Sequence, residues 1–317
     1  MSNYVDKTPS VENLHFEQEG IMSIHFRNYT NERGYTDDFN KVCDFLIRIN
    51  KSKVITPNYL WARWVWQFGP YMNMDNLSHI GVYEDNGVIV GLATYESNIG
   101  EAYFCLDENY NHLKPQMIDY AIKNLDNNGE LKIILPDGDF DYQRIAIQKN
   151  FIPTTNKSSI ALIDGGNHSY ILPNGYHIID FSDKCFDVER YYNAIWRGFN
   201  NQRPKNEHEL EFDRNREGFD APHIDLSLRI LIVAPNGDYA SHCGMWHIPG
   251  SDYSYVEPVF TLPEYRKIGL GKAAVLEGVN RCASNGATKS YVLSSQQFYY
   301  NIGFYPVQNE TWWTHRK

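Results

Sequence analysis

Apolar residues fall in alternating or helical spacing along most of the chain, and the resulting elements come in an order that is used twice. In the C-terminal half, YHIIDF reads as a first strand. Val188, Tyr191, Tyr192, Ile195 and Phe199 then recur at helical spacing. EHELEFDRNREGF predicts a second, more polar helix. LRILIVAPNGDYASHCGMWHI predicts two strands joined by a turn at Pro235, Asn236 and Gly237. DYSYVEPVF is a further strand, residues 269–285 a helix ending before Gly286, KSYVLSS a strand, QQFYYNIGF a short helix and TWWTHRK a last strand. The expected order is β-α-α-β-β-β-α-β-α-β.

The N-terminal half reads in nearly the same order. IMSIHFR is a strand, and Phe39, Val42, Phe45, Leu46 and Ile49 mark a helix. Thr56-Pro57 is expected to cap a second, Trp-rich helix. IGVYEDNGVIVGLATY is a hairpin turning at Asn86-Gly87. AYFCLDENY, MIDYAIKNL, LKIILP, IAIQKNF and another strand complete it. The pattern predicts an internal duplication with a period of roughly 150 residues. The segment 164–175, DGGNHSYILPNG, is the expected linker. The expected division is a tail at 1–21, one domain at 22–163, the linker, and a second domain at 176–317.

A chain of 317 residues fits two domains, and 42% hydrophobic content is enough for ordinary cores. A net charge of −10 argues against a nucleic-acid partner and would attract a cationic ligand, although a solvated acidic surface gives the same number. The five cysteines are odd in number and none stand in C-x-x-C spacing, which predicts reduced, mostly buried thiols of a cytoplasmic protein. No histidine pair has metal-ligand spacing, so no metal is expected. No secretory leader or apolar run long enough to span a membrane is found.

The run YVEPVFTLPEYRKIGLGKAAVLEG, residues 255–278, passes from strand to helix and carries Arg266 and Lys267 just before Gly269 and Gly271. Glycines disfavour helix, yet at a helix N-terminus they let a phosphate approach free N–H groups. The run is therefore expected to cradle a pyrophosphate. Residues 176–317 resemble a GNAT (GCN5-related) N-acetyltransferase domain. Arg266, Gly269 and Gly271 match the [RQ]-x-x-G-x-[GA] signature, and Tyr299, Gly303 and Phe304 match the Y-x-x-x-G-F run. The resemblance implies an α+β fold, with two tandem domains, each a mixed, mostly antiparallel sheet flanked by helices. It implies acetyl-CoA as co-substrate, with the pyrophosphate at Arg266, Lys267, Ile268, Gly269, Leu270, Gly271 and Lys272. The pantetheine is expected beside Val259, Phe260 and Thr261. In the first domain the same positions are Asn111, Lys114 and Gln116, with Pro115 between them, so that cradle is expected to be lost.

The implied reaction is acetyl transfer to a primary amine. Tyr299 is the expected general acid, with Tyr300 an alternative. Glu257, a carboxylate in an apolar strand, is the expected general base, with His242 and His247 in reserve. Trp196, Trp246 and Tyr255, together with Phe199, are expected to line the acceptor cleft, although each also suits ordinary packing. The acidic stretch Glu207, Glu209, Glu211 and Asp213 points to a cationic small molecule, in detoxification or antibiotic self-resistance. A protein N-acetyltransferase and a non-catalytic acetyl-CoA sensor are the alternatives. The oligomeric expectation is monomer or homodimer.

Overall fold

The structure is a computed structural model and describes residues 24–68, 71–207, 209–211 and 219–316. The expected tail at 1–21 lies outside them, as does most of the second acidic helix, of which residues 207 and 209–211 are helical. In the N-terminal half the strands are β1 (Ile24–Asn28), β2 (Gly81–Asp85), β3 (Val88–Thr94), β4 (Glu101–Leu106), β5 (Lys132–Pro136) and β6 (Phe151–Asp164). Its helices are α1 (Asp37–Asn50), α2 (Trp61–Gln67), α3 (Lys114–Asn124) and α4 (Phe140–Gln148). The C-terminal half carries β7 (His177–Asp180), β8 (Arg229–Val233), β9 (Tyr239–His247), β10 (Tyr253–Thr261), β11 (Lys289–Leu293) and β12 (Tyr305–His315). Its helices are α5 (Val188–Gly198), α6 (Leu270–Ser284) and α7 (Gln297–Asn301).

All twelve strands form one sheet in the order β1-β2-β3-β4-β5-β12-β6-β11-β10-β9-β8-β7. The last strand of the chain, β12, therefore lies between β5 and β6, pairing antiparallel with both. In turn β6 pairs antiparallel with β11. Each half hands its final strand to the other, so the seam has no open edge.

The fully buried strand β8, RILIV, shows how the C-terminal half is layered. Its side chains alternate. Ile230 and Ile232 join Val256, Ala273 and Val279 in a core beneath α6, while Leu231 and Val233 join Tyr191, Tyr192 and Phe260 beneath α5. A third core fills the N-terminal half and takes in Trp246, Tyr253 and Tyr255 from β9 and β10. Trp61 of α2 meets Trp246 edge-to-face at 5.5 Å.

One capping expectation is corrected. The helix α2 begins at Trp61, with Leu60 at its N-cap, not at Thr56-Pro57. The Asn50 side chain captures this loop first, its Oδ1 accepting from the Ile55 and Thr56 N–H groups. Its Nδ2 donates to Thr56 Oγ1. The hairpin turns are as expected, with Asn86 and Gly87 at φ 49° and 79°.

At the seam, Glu310 of β12 is fully buried and accepts from Gln308 Nε2 at 2.9 Å. Burial raises its carboxyl to about 7 from 4.5. A carboxyl that holds its proton more tightly when folded contributes stability below its unfolded value and loses it as pH rises through the folded one. This contribution of about 3 kcal/mol is thus complete below about pH 4.5 and gone above about pH 7. Urea unfolding from pH 5 to 8 is expected to show this fall in the wild type, and Glu310→Gln is expected to remove it and to be the more stable protein at pH 8.

Candidate active site

The centre of the site is an irregularity in β10. Along β9, Val256 pairs with Met245 and Val259 with Cys243, so Glu257 and Pro258 together stand opposite Gly244. The extra residue bends β10. On its other side β10 pairs with β11 only from Tyr253 to Tyr255. Beyond Tyr255 the two strands part, leaving that side of β10 without a partner strand. An extended chain can add along such an edge through backbone hydrogen bonds. Gly244 is required here, because a Cβ would stand 2.5 Å from the Glu257 carbonyl oxygen and 2.6 Å from Arg229 Nη1.

At the far end of β10 the chain turns through Pro263–Tyr265 into α6. Lys267 has φ 66° and Gly269, the N-cap, φ 93°. The first backbone bond of the helix runs from the Ala273 N–H to the Gly269 carbonyl. No side chain caps the helix. The N–H groups of residues 268–272 thus have no acceptor among the described residues, and Lys267 and Lys272 are exposed beside them. A Cβ on Gly271 would lie 3.1 Å from Thr261 Oγ1 and 3.3 Å from Phe298. These features fit a pyrophosphate cradle. Arg266 has a different task. Its Nε donates to the Thr261 carbonyl, and its Nη2 to the Gly198 carbonyl and Asn200 Oδ1, tying the cradle to α5.

The corresponding helix of the N-terminal half is closed. A 3-10 turn at Glu108–Leu113 runs straight into α3, whose N1/N2 region carries Pro115. Lys114 is buried, and its Nζ binds Asp139 at 2.8 and 2.9 Å.

A cavity of about 770 Å3 opens where the two halves meet. Val65, Trp66, Phe68 and Tyr71 form its N-terminal wall, Tyr191, Trp196 and Phe199 its α5 side, and Arg229, His242, Trp246, Glu257 and Pro258 its floor. Trp196 and Trp246 are therefore in the cleft, as expected. Tyr255 is not. It is buried, and its hydroxyl donates to Glu257 Oε2 at 2.8 Å. Burial raises the Glu257 carboxyl above its ordinary value, and the nearby Arg63 guanidinium and the Tyr255 hydroxyl draw it partly back. Arg63 belongs to α2 and is itself held by Glu96 at 2.5 Å. Nothing in the sequence linked Arg63 to this carboxylate, since they come from different halves.

Tyr299 is buried on α7 against Phe298 and Phe304, with its charge environment set by Cys243 and Glu257. Burial pushes its phenol up, so it stays protonated near neutral pH. The two reserve histidines are corrected. His242 lines the cavity, but burial lowers it to about 3, and Nδ1 is engaged by the Ile230 carbonyl. His247 contacts the carbonyls of Tyr253 and Asn285 and does not line the cavity. Among the described residues, no group of His, Cys, Asp or Glu has the arrangement to hold a metal, and no helix is long and apolar enough to cross a membrane. Four cysteines are buried and Cys185 is exposed, all as free thiols.

Comparison with known proteins agrees with this geometry. Residues 188–305 match the profile described as the acetyltransferase (GNAT) family. Among solved structures, an acetyltransferase from the GNAT family of Colwellia psychrerythraea is 12% identical, with TM-score 0.56, over 92% of this chain and 99% of that one. A tandem GNAT protein from the clavulanic acid biosynthesis pathway is 12% identical, with TM-score 0.55, over 92% and 98% of the two chains. A GCN5-related N-acetyltransferase from Sphaerobacter thermophilus gives 12%, 0.54, 92% and 95%. At that identity the likeness is one of fold. No curated protein matches by sequence. Residues 188–305 thus carry the GNAT acetyltransferase family profile, and the fold of both halves together is like that of tandem GNAT structures. The profile matched by residues 188–305 implies an acyl-CoA co-substrate.

A long side chain at position 271 would crowd Thr261 Oγ1 and Phe298 beside the free N–H groups. Gly271→Gln is expected to weaken acetyl-CoA binding by about tenfold or more, ~1.4 kcal/mol, in titration calorimetry. Unchanged affinity would place the pyrophosphate elsewhere.

Proposed function

We propose that this protein transfers the acetyl group of acetyl-CoA to the primary amine of a small molecule bound in the cavity between its halves. The observation that carries the reading is the position of the Glu257 bulge. It forms the cavity floor on one side and belongs, on the other, to the open stretch of β10 that leads to the 268–272 cradle.

Acetyl-CoA, when bound, supplies a thioester activated for attack by an amine. The cradle N–H groups hold its pyrophosphate, and the free edge of β10 from Val259 to Thr261 holds its arm. Glu257 takes the proton from the acceptor ammonium. Its raised carboxyl is better matched to that task than an exposed glutamate, and the Tyr255 hydroxyl and Arg63 keep it oriented and partly ionised. A backbone N–H at Val259 or Phe260 faces the oxygen on which negative charge develops. Tyr299, kept protonated by burial, gives its proton to the departing thiolate and is restored by the second proton that the nitrogen loses as the amide forms, while Glu257 passes its proton to solvent.

The N-terminal half contributes the wall at Val65, Trp66, Phe68 and Tyr71, which supports a small acceptor over a polypeptide. Among the described lining residues Arg203, Lys205 and Arg229 stand against Glu209 and Glu257, and Arg203 is paired with Glu209 at 2.6 Å. That balance does not support the cationic acceptor suggested by the net charge and the acidic stretch.

With a raised carboxyl as base, kcat/KM is expected to climb with pH as Glu257 loses its proton, at an apparent pKa above 4.5. CoA release followed across pH is expected to lose this limb in Glu257→Gln, with a fall of ~10²–10⁴-fold in rate. Arg63→Gln removes a positive charge and is expected to move the limb to higher pH. A limb unaltered in both variants would assign it to the acceptor itself and remove Glu257 as base. Tyr299→Phe is expected to lower kcat by about tenfold or more with little change in acetyl-CoA affinity.

A further inference from the structure

Arg229 is a described feature of the cavity that amine acetylation does not use. It is the first residue of β8, is 3% exposed and lines the cavity floor. Its guanidinium carbon sits 3.8 Å from the centre of the Trp246 ring. Nη1 reaches the Glu257 carbonyl oxygen at 3.4 Å, a long contact. Nε and Nη2 are buried and have no hydrogen-bond partner among the described residues. Among the described residues no carboxylate forms an ion pair with it. Burial lowers its pKa only to about 10, so it remains a cation at neutral pH. A buried cation that lacks a counter-charge is a costly arrangement, and a planar guanidinium fork matches a carboxylate.

The surroundings narrow the ligand further. Arg229 contacts the backbone of Glu257, the residue proposed to take the amine's proton, so one small molecule can reach both groups. Between these two groups and the rim, the described lining is chiefly aromatic, including Phe181, Tyr191, Tyr192 and Phe219. We propose that Arg229 anchors a carboxylate of the acceptor, which is an apolar or aromatic amino acid or a close analogue, with its amine toward Glu257 and its side chain among the aromatic rings.

This rests on the acetyl-transfer reading for the role of Glu257, but the anchor is testable without turnover. The full chain is to be titrated calorimetrically with valine, leucine, phenylalanine and tryptophan, each beside its primary amide and the matching amine that lacks the carboxylate. CoA release from acetyl-CoA is measured on the same compounds. At least one amino acid is expected to bind and to be acetylated with kcat/KM ~100-fold above its amide. In Arg229→Gln that preference is expected to collapse, and in Arg229→Lys to survive in part. Should Arg229→Gln fail to fold, the acid-to-amide ratio of the wild type decides alone. Amides or carboxylate-free amines handled as well as the acids overturn the anchor and leave acetyl transfer standing. Acids that bind through Arg229 without any CoA release support the anchor and overturn the acetyl-transfer reading. Binding by none of the acids overturns the anchor.

Discussion

The reciprocal exchange of final strands holds the molecule together. Because β12 is hydrogen-bonded to β5 and β6 at once, and β6 to β11, the halves share one backbone ladder instead of a side-chain interface. A ladder tolerates little sliding, since a one-residue slip would turn every side chain to the opposite face. The wall formed by α2 is therefore fixed against β9 and β10. Trp61 against Trp246, and the cavity between Val65 and Trp66 of α2 and the residues of α5, follow from that registration.

The same constraint lets the first half act on the chemistry of the second. Arg63 and Glu96 belong to the N-terminal half, yet both influence the Glu257 carboxyl, in opposite directions. A charge placed across a shared core, where water is scarce, acts far more strongly than one across an exposed cleft. The first half has kept the frame of the fold and closed its own cradle with Pro115, Lys114 and Asp139. What it supplies is a wall and an electrostatic environment.

Within the C-terminal half, the bulge at Glu257 and Pro258 joins two requirements that would otherwise compete. A strand paired on both sides could bury a carboxylate but would offer no edge to a ligand. Here β9 remains paired through the irregularity while β11 diverges. Gly244 makes room for the carbonyl of Glu257 and for Arg229. Arg229, Trp246 and the bulge thus form one unit, in which a hydrogen bond, a cation–π stack and a missing Cβ hold the cavity floor.

The sequence by itself determined the elements and the glycine-led start of α6, because both are local. Period-two and helical spacing decide strands and helices, and Gly269 and Gly271 mark a helix start that no side chain caps among the described residues. Glu257 stood out too, as a lone carboxylate in an apolar strand, and it lies in the cavity floor. The failure at Thr56-Pro57 had a local signal too, but Asn50, six residues earlier, bound the loop first. Only the tertiary structure decided the place of β12, since a strand's sequence gives its faces and not its neighbours. It alone removed Tyr255 from the cleft, disqualified His247, turned Arg266 toward protein carbonyls, and brought Arg63 and Arg229 to the site. Those roles depend on which groups remain unpaired after burial, and that is a property of the whole sheet.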